Sequence, residues 1–253
     1  MVFSRATPVI VITRPEKSFN QCGMSLIEVM VVLVIIGVLA SLLLPAFSNA
    51  KESGIGIQCL NNHRQVNLGF KLHYQDNDDV FVQWGTKGPT TNAILPDPLV
   101  TYWPDVLLPY VGNQKVYDCP KRAGLTDQGG IGINYPSIGT YSDLAANWVL
   151  KVREEMVLHP SNTIVFGDDQ DVDNPHEPDP DKWVLKKTKS PYCIVFRTPI
   201  DRPQYVLDPY RIVARHKHNT VVSFLDGHAE QMRPSEVGLQ YPEGHPFALW
   251  DRL

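Results

Sequence analysis

A long apolar run near the N-terminus constrains this chain more than any other feature. Residues 29–44 (VMVVLVIIGVLASLLL) carry no charge, and extension back to Met24 gives 21 residues with one carboxylate, that of Glu28. As an α-helix this segment is about 31 Å long, close to the hydrocarbon thickness of a bilayer. The alternatives are a buried core helix and a cleaved secretory signal, but the run is longer than most signal cores and no A-x-A site follows it. We therefore expect a membrane-spanning helix.

The charge distribution predicts how this helix is oriented. Residues 1–23 contain three basic residues and one acidic residue, whereas residues 24–253 contain 20 basic and 26 acidic residues. The positive-inside rule therefore favours a cytoplasmic N-terminus and an exported C-terminal part. The formal net charge of -4 argues against nucleic acid as a partner, because nonspecific binding to phosphates needs a surplus of Lys and Arg.

The residues before the apolar run carry a resemblance to a known family. The segment Gly23–Val29 (GMSLIEV), followed by the apolar run, resembles the processing site of type IV prepilins and type II secretion pseudopilins. The resemblance implies that a prepilin peptidase cuts after Gly23 and methylates the new N-terminus at Met24. It also implies that Pro45, the twenty-second mature residue, is the family's helix-kinking proline.

Glu28 is the one charged residue within the predicted membrane segment. A carboxylate inside hydrocarbon costs about 3 kcal/mol on insertion-based scales, so it is a candidate functional residue. The resemblance implies that Glu28 pairs with the terminal amine of a neighbouring subunit and sets the register between subunits. The alternative is that Glu28 lies at headgroup level and interacts with the positive end of the helix macrodipole.

After Pro45 the sequence predicts an amphipathic helix that continues to about Asp76. One sector contains Ile55, Cys59, Val66, Phe70 and Tyr74, and the opposite sector contains Ile57, Leu68 and Leu72. The first sector can pack on the chain's own head and the second on helices of neighbouring subunits. The alternative is a single core face with scattered exposed leucines, because periodicity does not show which surface an apolar face meets.

The pattern of elements predicts an α+β, pilin-like fold in which a long N-terminal helix packs on an antiparallel β-sheet head with loop insertions. We expect a cleaved leader (1–23), a transmembrane and assembly helix (24–45), its amphipathic continuation (46–78) and an exported head (79–253). The candidate strands are Ile164–Phe166, Ile194–Phe196, Arg211–Ala214, and the two arms of a C-terminal hairpin, Thr220–Phe224 and His228–Met232.

Motifs in the middle of the chain resemble a large bacterial pseudopilin-like subfamily. They are the helical segment QCLNNHRQ (58–65), the segment WPDVLLPYVGN (103–113) and the triplet DCP (118–120). An exported head would let two of its three cysteines pair. Cys59 and Cys119 are the favoured disulfide because both lie in the resembling segments, which leaves Cys193 as a buried free thiol.

The same subfamily ends in a histidine, nine residues and Asp-Gly, here His216 followed by Asp226-Gly227. Asp-Gly between β-prone runs predicts a two-residue type I′ hairpin. His216, His218, His228 and Asp226 could be considered a metal cluster, but their spacing does not select tetrahedral ligands. A structural contact between His216 and Asp226 is the favoured alternative.

An acidic segment supplies the other candidate metal ligands. Asp168, Asp169, Asp171 and Asp173 offer alternating carboxylates, and major pseudopilins as a group can bind calcium in a loop. The EF-hand register fails, since Asn174 replaces the required glycine and Pro180 the required glutamate. A calcium loop of another kind and a solvated acidic loop are both open; calcium is thus the one candidate cofactor.

We find no sequence motif for a nucleophile, a phosphate loop or a dinucleotide, so we expect no enzymatic activity.

The favoured function is a structural pseudopilin of a type II secretion or type IV pilus-like filament. The resemblance implies a homo-oligomer or a mixed filament with other pilin-like subunits in the lipid bilayer. The further partners that it implies are prepilin peptidase, an inner-membrane platform protein, an assembly ATPase and a secretin. We expect a single-pass inner-membrane protein with its head in the periplasm or on an extracellular filament. The alternative is a signal-anchored periplasmic binding or hydrolytic protein that uses the carboxylates and histidines of the head.

Overall fold

The computed structural model describes residues 24–87, 99–122, 129–143, 148–149, 151–187 and 193–253. The α-helices are α1 (Leu26–Asp76), α2 (Trp103–Val111) and α3 (Arg202–Leu207). The strands are β1 (Gly85–Lys87), β2 (Val100–Tyr102), β3 (Gly129–Tyr135), β4 (Tyr141–Asp143), β5 (Trp148–Val149), β6 (Ile164–Asp171), β7 (Cys193–Arg197), β8 (Tyr210–Ile212), β9 (Thr220–Phe224) and β10 (Ala229–Met232). Short 3₁₀ helices cover Gln114–Tyr117, Pro120–Arg122, Glu154–Met156, Pro180–Lys182, Pro199–Asp201 and Pro234–Val237.

The chain divides into two compact units, Met1–Phe47 and Ser48–Leu253. The first unit contains the apolar part of α1, whose most apolar 18-residue window has a mean hydropathy of 2.9 and is 0% buried. This helix is long and apolar enough to cross a membrane by length and composition. Pro45 lies inside it, where the missing backbone N–H removes one helical hydrogen bond.

The second unit contains two β-sheets. The larger sheet has the strand order β10-β9-β6-β3-β7, with β8 also pairing with β6, and the smaller has the order β2-β1-β4-β5. The pairs β3–β7 and β1–β4 are parallel, whereas the other pairs are antiparallel. The predicted α+β class is confirmed, but the sheets are mixed rather than wholly antiparallel. A parallel pair needs a long connection, and β4 to β6 lie in the chain between β3 and β7.

The C-terminal half of α1 packs into the head through one face. Val66, Phe70 and Tyr74 of α1 are buried in the main core. The Phe70 ring meets the Phe166 ring of β6 edge to face, with centroids 5.5 Å apart. Full burial of a side chain of this size contributes about 1.5–3 kcal/mol. A second apolar cluster surrounds Trp250 and includes Ile164, Phe196, Ile212, Val222 and Phe224.

The two predicted sectors of the amphipathic helix are separated in the structure. Cys59, Val66, Phe70 and Tyr74 are buried, and Ile55 is partly buried. On the other sector Ile57, Leu68 and Leu72 keep 59%, 60% and 42% of their surface exposed. The first sector therefore packs on the head of the same chain, as predicted, and the second is exposed in the single chain.

The predicted C-terminal hairpin forms, but with a different turn. Strands β9 and β10 pair with Ser223 opposite Ala229, and the Phe224 backbone N–H donates to the His228 carbonyl. The loop therefore has three residues, and of these Gly227 has a positive φ of 104°. A type I′ turn would need a positive φ at Asp226 as well, so the prediction of that turn type was wrong. A three-residue loop with one glycine is the next most common hairpin connection.

Side chains of α1 also hold the tip of this hairpin. The Asn67 Nδ2 donates to the Phe224 carbonyl over 2.6 Å, and the Lys71 Nζ donates to the Asp226 carbonyl. Asn67 is fully buried, so its bond to the strand end satisfies a backbone group that water does not reach. The hairpin tip and the helix are therefore coupled by polar contacts as well as by the apolar core.

Candidate functional site

The N-terminal end of α1 carries the predicted assembly residues. Gly23 lies outside the described residues, and Met24 and Ser25 precede the helix. The Ser25 backbone N–H donates to Glu28 Oε2 over 2.7 Å, and the Glu28 backbone N–H donates to Ser25 Oγ over 3.3 Å. This reciprocal pair is a capping box, which satisfies two backbone donors at a helix start. In the single chain Glu28 thus interacts with the first turn of its own helix.

A second group of polar residues lies inside the head, where α1 meets strand β6. The Asp168 carboxylate is fully buried at its centre. Oδ1 lies 3.5 Å from His63 Nε2 and 3.3 Å from Arg215 Nη1. Oδ2 accepts from the Val221 backbone N–H over 2.9 Å and lies 3.6 Å from His216 Nε2. Helix α1, strand β6 and the segment after β8 therefore each contribute to one buried cluster.

The surroundings of Asp168 determine its protonation. Burial alone would raise the pKa of this carboxyl group, but the adjacent His63 imidazole and the Arg215 charge hold its pKa below the usual value. Burial would likewise lower the pKa of His216, but its contact with Cys119 and the Asp168 charge raise it above the usual value. The folded head therefore favours an ionised Asp168.

Two cysteines lie next to this cluster. Cys59 Sγ of α1 and Cys119 Sγ are 2.8 Å apart, and Cys119 Sγ lies 3.5 Å from His216 Nε2. Cys59, Cys119 and His216 are all buried. The hydrogen bonds from Cys59 and His216 lower the pKa of the Cys119 thiol. The structure thus brings together the two cysteines selected from sequence; both are free thiols here, and their disulfide stays a prediction.

His63 and Arg215 contact Asp168, although neither was predicted from the sequence as a functional residue. A signal for His63 exists, because it is four residues after Cys59 and three before Val66, on the sector predicted to face the core. Asn62 shares that sector and donates from Nδ2 to the Asp118 carbonyl over 3.1 Å, which anchors the residue before Cys119. Arg215 has no comparable signal, since it follows a strand and its charge suggests a surface position.

The prediction of a contact between His216 and Asp226 was wrong. Asp226 Oδ1 instead lies 2.5 Å from His228 Nδ1 and accepts from the His228 backbone N–H over 3.0 Å. The three-residue turn places His228 beside Asp226, whereas His216 is buried near Asp168. The four residues considered as a metal cluster therefore do not converge, and His216 belongs to a different group.

The acidic segment is largely a strand rather than a loop. Asp168, Asp169 and Asp171 are buried residues of β6, and Asp173 follows the strand as an exposed residue. Successive side chains of a strand point to opposite faces, so Asp168 and Asp169 cannot face the same ion. Burial raises the pKa of Asp169 well above its usual value. The prediction of an acidic loop was therefore wrong for residues 168–171, because β3 pairs with Asp168 and β8 pairs with Asp169–Asp171.

Cys193, the remaining head cysteine, is buried at the start of β7. Burial raises the pKa of its thiol to about 11, so the neutral thiol dominates. This agrees with the expectation of a buried free thiol.

Comparison with known proteins identifies one part of the chain. Residues 18–44 match the family model described as the prokaryotic N-terminal methylation motif. The match covers the predicted cleavage position, the capping box and the apolar part of α1, and it is consistent with a type IV prepilin-like signal. No curated protein and no solved structure matches the chain.

Proposed function

We propose that this chain is a structural pilin-like subunit, a pseudopilin, of a type II secretion or type IV pilus-like filament. The observation that carries the proposal is the N-terminal methylation motif at residues 18–44, which overlaps a helix long and apolar enough to cross a membrane. A signal of this kind is needed for processing and assembly and not for catalysis. The work of the chain is therefore polymerisation through α1.

Processing after Gly23 is the first step of this function. Prepilin peptidase removes residues 1–23 and methylates Met24, and the mature chain stays in the inner membrane until it assembles. The test is mass spectrometry of the protein from membranes of the native host. We expect an N-terminal peptide that begins with methylated Met24, and an intact leader when the peptidase is deleted. An intact leader in the presence of the peptidase would contradict the proposal and favour a signal-anchored protein.

Glu28 has a proposed role in assembly that follows from processing. Cleavage creates an ammonium group at Met24, and a carboxylate in hydrocarbon is stabilised by such a partner on a neighbouring subunit. The capping box leaves Glu28 able to bind this ammonium group, because a carboxylate accepts several hydrogen bonds. Glu28 would keep the contact within its own helix and add a contact that sets the register of the filament.

The test of this role is a Glu28→Ala variant expressed beside its filament partners. We expect normal cleavage but at least about a tenfold decrease in incorporation, which corresponds to 1.4 kcal/mol. The control is Glu243→Ala, which removes an exposed carboxylate of the head. Incorporation of Glu28→Ala at the level of the control would show that the carboxylate has no role in assembly.

The exposed sector of α1 supports the same function. Ile57, Leu68 and Leu72 are large apolar side chains that remain accessible although the opposite sector is buried in the head. We propose that they pack against helices of neighbouring subunits. The further partners are prepilin peptidase, a platform protein, an assembly ATPase and a secretin, and the head lies in the periplasm or on an extracellular filament.

A further inference from the structure

The buried cysteines and His216 have the chemistry of a metal site. Among the residues that the structure describes, Cys59, Cys119 and His216 place three potential ligand atoms within 4.8 Å of one another. Each keeps at most 3% of its surface exposed. Thiolate sulfur and imidazole nitrogen are the donors that zinc prefers in structural sites.

Two of the separations around His216 match those expected around one tetrahedral ion, and the second of them adds the Asp168 carboxylate beside the three clustered ligand atoms. His216 Nε2 lies 3.5 Å from Cys119 Sγ and 3.6 Å from Asp168 Oδ2. Ligand distances of about 2.0–2.3 Å at tetrahedral angles separate nitrogen from sulfur by about 3.5 Å and nitrogen from oxygen by about 3.3 Å. The imidazole therefore faces a sulfur and a carboxylate at separations that a shared zinc ion requires.

The distance between the two sulfur atoms lies between the values expected for a disulfide and for two zinc-bound thiolates. Their separation of 2.8 Å exceeds a disulfide bond of about 2.05 Å and is shorter than the separation of about 3.8 Å for two thiolates on one zinc ion. A side-chain movement of about 1 Å converts the pair to either state. The disulfide would use neither the imidazole nor the carboxylate, whereas the metal uses all four groups.

The orientation of the Asp168 carboxylate is fixed by its neighbours, as that of a metal ligand usually is. The Val221 backbone N–H, Arg215 and His63 all contact its carboxylate, so its orientation is set by three elements of the head. Such outer contacts fix ligands and are typical of metal centres. Two thiolates, one carboxylate, Zn²⁺ and the Arg215 guanidinium also sum to zero charge, which a buried site requires.

We propose that Cys59, Cys119, His216 and Asp168 form a structural zinc site that joins α1 to the head. The site takes one ligand from α1 (Leu26–Asp76), one from the segment after α2 and two from the region of β6 and β8. It replaces the predicted disulfide, because the same sulfurs cannot form both at once. Binding releases the thiol protons and closes the site with four protein ligands.

The first test measures the native chain. One sample of native-host cells is denatured directly in N-ethylmaleimide, which alkylates free thiols. From a second sample the full-length mature protein is purified in detergent without chelator, and its metal content is measured by elemental mass spectrometry. We expect about one zinc per chain, with Cys59 and Cys119 both alkylated in the denatured sample. A peptide pair linked through Cys59 and Cys119 would overturn the proposal, because oxidised sulfurs do not bind the ion.

The second test uses variants and a spectroscopic probe. Cys119→Ser and His216→Ala should lower the zinc content about tenfold or more, whereas Cys193→Ser, which removes a buried thiol outside the site, should leave it unchanged. After removal of zinc, Co²⁺ should give thiolate charge-transfer and tetrahedral d–d absorption in the wild-type chain and in Cys193→Ser. If the variants do not fold, the wild-type cobalt spectrum still decides. A wild-type cobalt spectrum without thiolate charge-transfer bands would overturn the proposed zinc site.

Discussion

At the scale of single residues, Asp168 is the point at which the polar contacts of the head converge. Its carboxylate meets two histidines, an arginine and a backbone donor, and it is fully buried. The partners come from α1, from the segment after β8 and from β9, so this side chain links elements distant in sequence. Removing one member of a buried charged group leaves the others without compensation.

Replacement of this carboxylate should therefore destabilise the fold strongly. We expect Asp168→Asn to lower the free energy of unfolding by about 3–5 kcal/mol, measured by urea denaturation in detergent with tryptophan fluorescence. Asp173→Asn, which changes an exposed residue just after the same strand, should stay within about 0.5 kcal/mol of wild type. Equal small effects for both variants would show that Asp168 contributes little.

The same residue gives a prediction for pH. The pKa of Asp168 is held below its usual value in the folded head, so its stabilising contribution is present above the unfolded value of about 4 and is lost as the pH falls further. We expect the difference in unfolding free energy between wild type and Asp168→Asn to shrink below about pH 4. A difference that is constant from pH 7 to pH 3 would contradict the assignment.

At the scale of elements, two glycines of α1 have opposite surroundings. A Cβ at Gly54 would meet nothing within 4 Å, whereas a Cβ at Gly69 would lie 2.5 Å from Val111 Cγ2 at the end of α2. Gly54 is exposed and Gly69 is buried. The first glycine therefore only weakens the helix, and the second allows α1 and α2 to approach closely.

Alanine substitutions should separate these roles. Gly54→Ala should raise the free energy of unfolding by about 0.5–1 kcal/mol, because alanine favours the helix. Gly69→Ala should lower it by about 1–3 kcal/mol, because the added methyl group overpacks the contact with Val111. Urea denaturation of both variants checks the opposite signs, and a stabilising Gly69→Ala would show that the contact yields without cost.

Sequence patterns predicted the elements whose periodicity agrees with their environment. The end of α1 near Asp76, its buried sector and the β9–β10 hairpin follow from apolar spacing and from Asp-Gly. Strand β6 was predicted only as far as Phe166, and a glycine and four polar residues complete the strand. Asp168 is buried against Arg215 and His63, which are distant in sequence, so local propensity could not indicate its burial. The turn type was also not predicted, because Asp-Gly fits a three-residue loop in which only the glycine has a positive φ as well as a type I′ turn.

At the scale of the whole molecule, the chain combines a unit with the length and composition of a membrane helix and a unit with its own cores. The exposed apolar sector of α1 lies within the second unit. A monomeric soluble domain gains nothing from exposed leucines and isoleucines aligned on one helix. Their accessibility agrees with a subunit whose final environment is an assembly.

A charge on this sector should affect assembly more than folding. We expect Leu68→Glu to leave the midpoint of urea unfolding near that of wild type, since the side chain is 60% exposed. Incorporation into sheared filaments, measured by immunoblotting, should fall severalfold. The control is Leu158→Glu, which adds the same charge to an exposed position of the head. A similar decrease for both variants would point to a general effect of charge.

The contacts between α1 and the hairpin tip limit how a water-soluble version of this protein can be prepared. Truncation at Ser48 removes the apolar part of α1 and keeps Asn67 and Lys71, which donate to the carbonyls of Phe224 and Asp226. Truncation beyond Lys71 would discard both donors along with the buried helix face. The apolar core residues that pack against this face of α1 would then be exposed, and an exposed apolar patch favours aggregation.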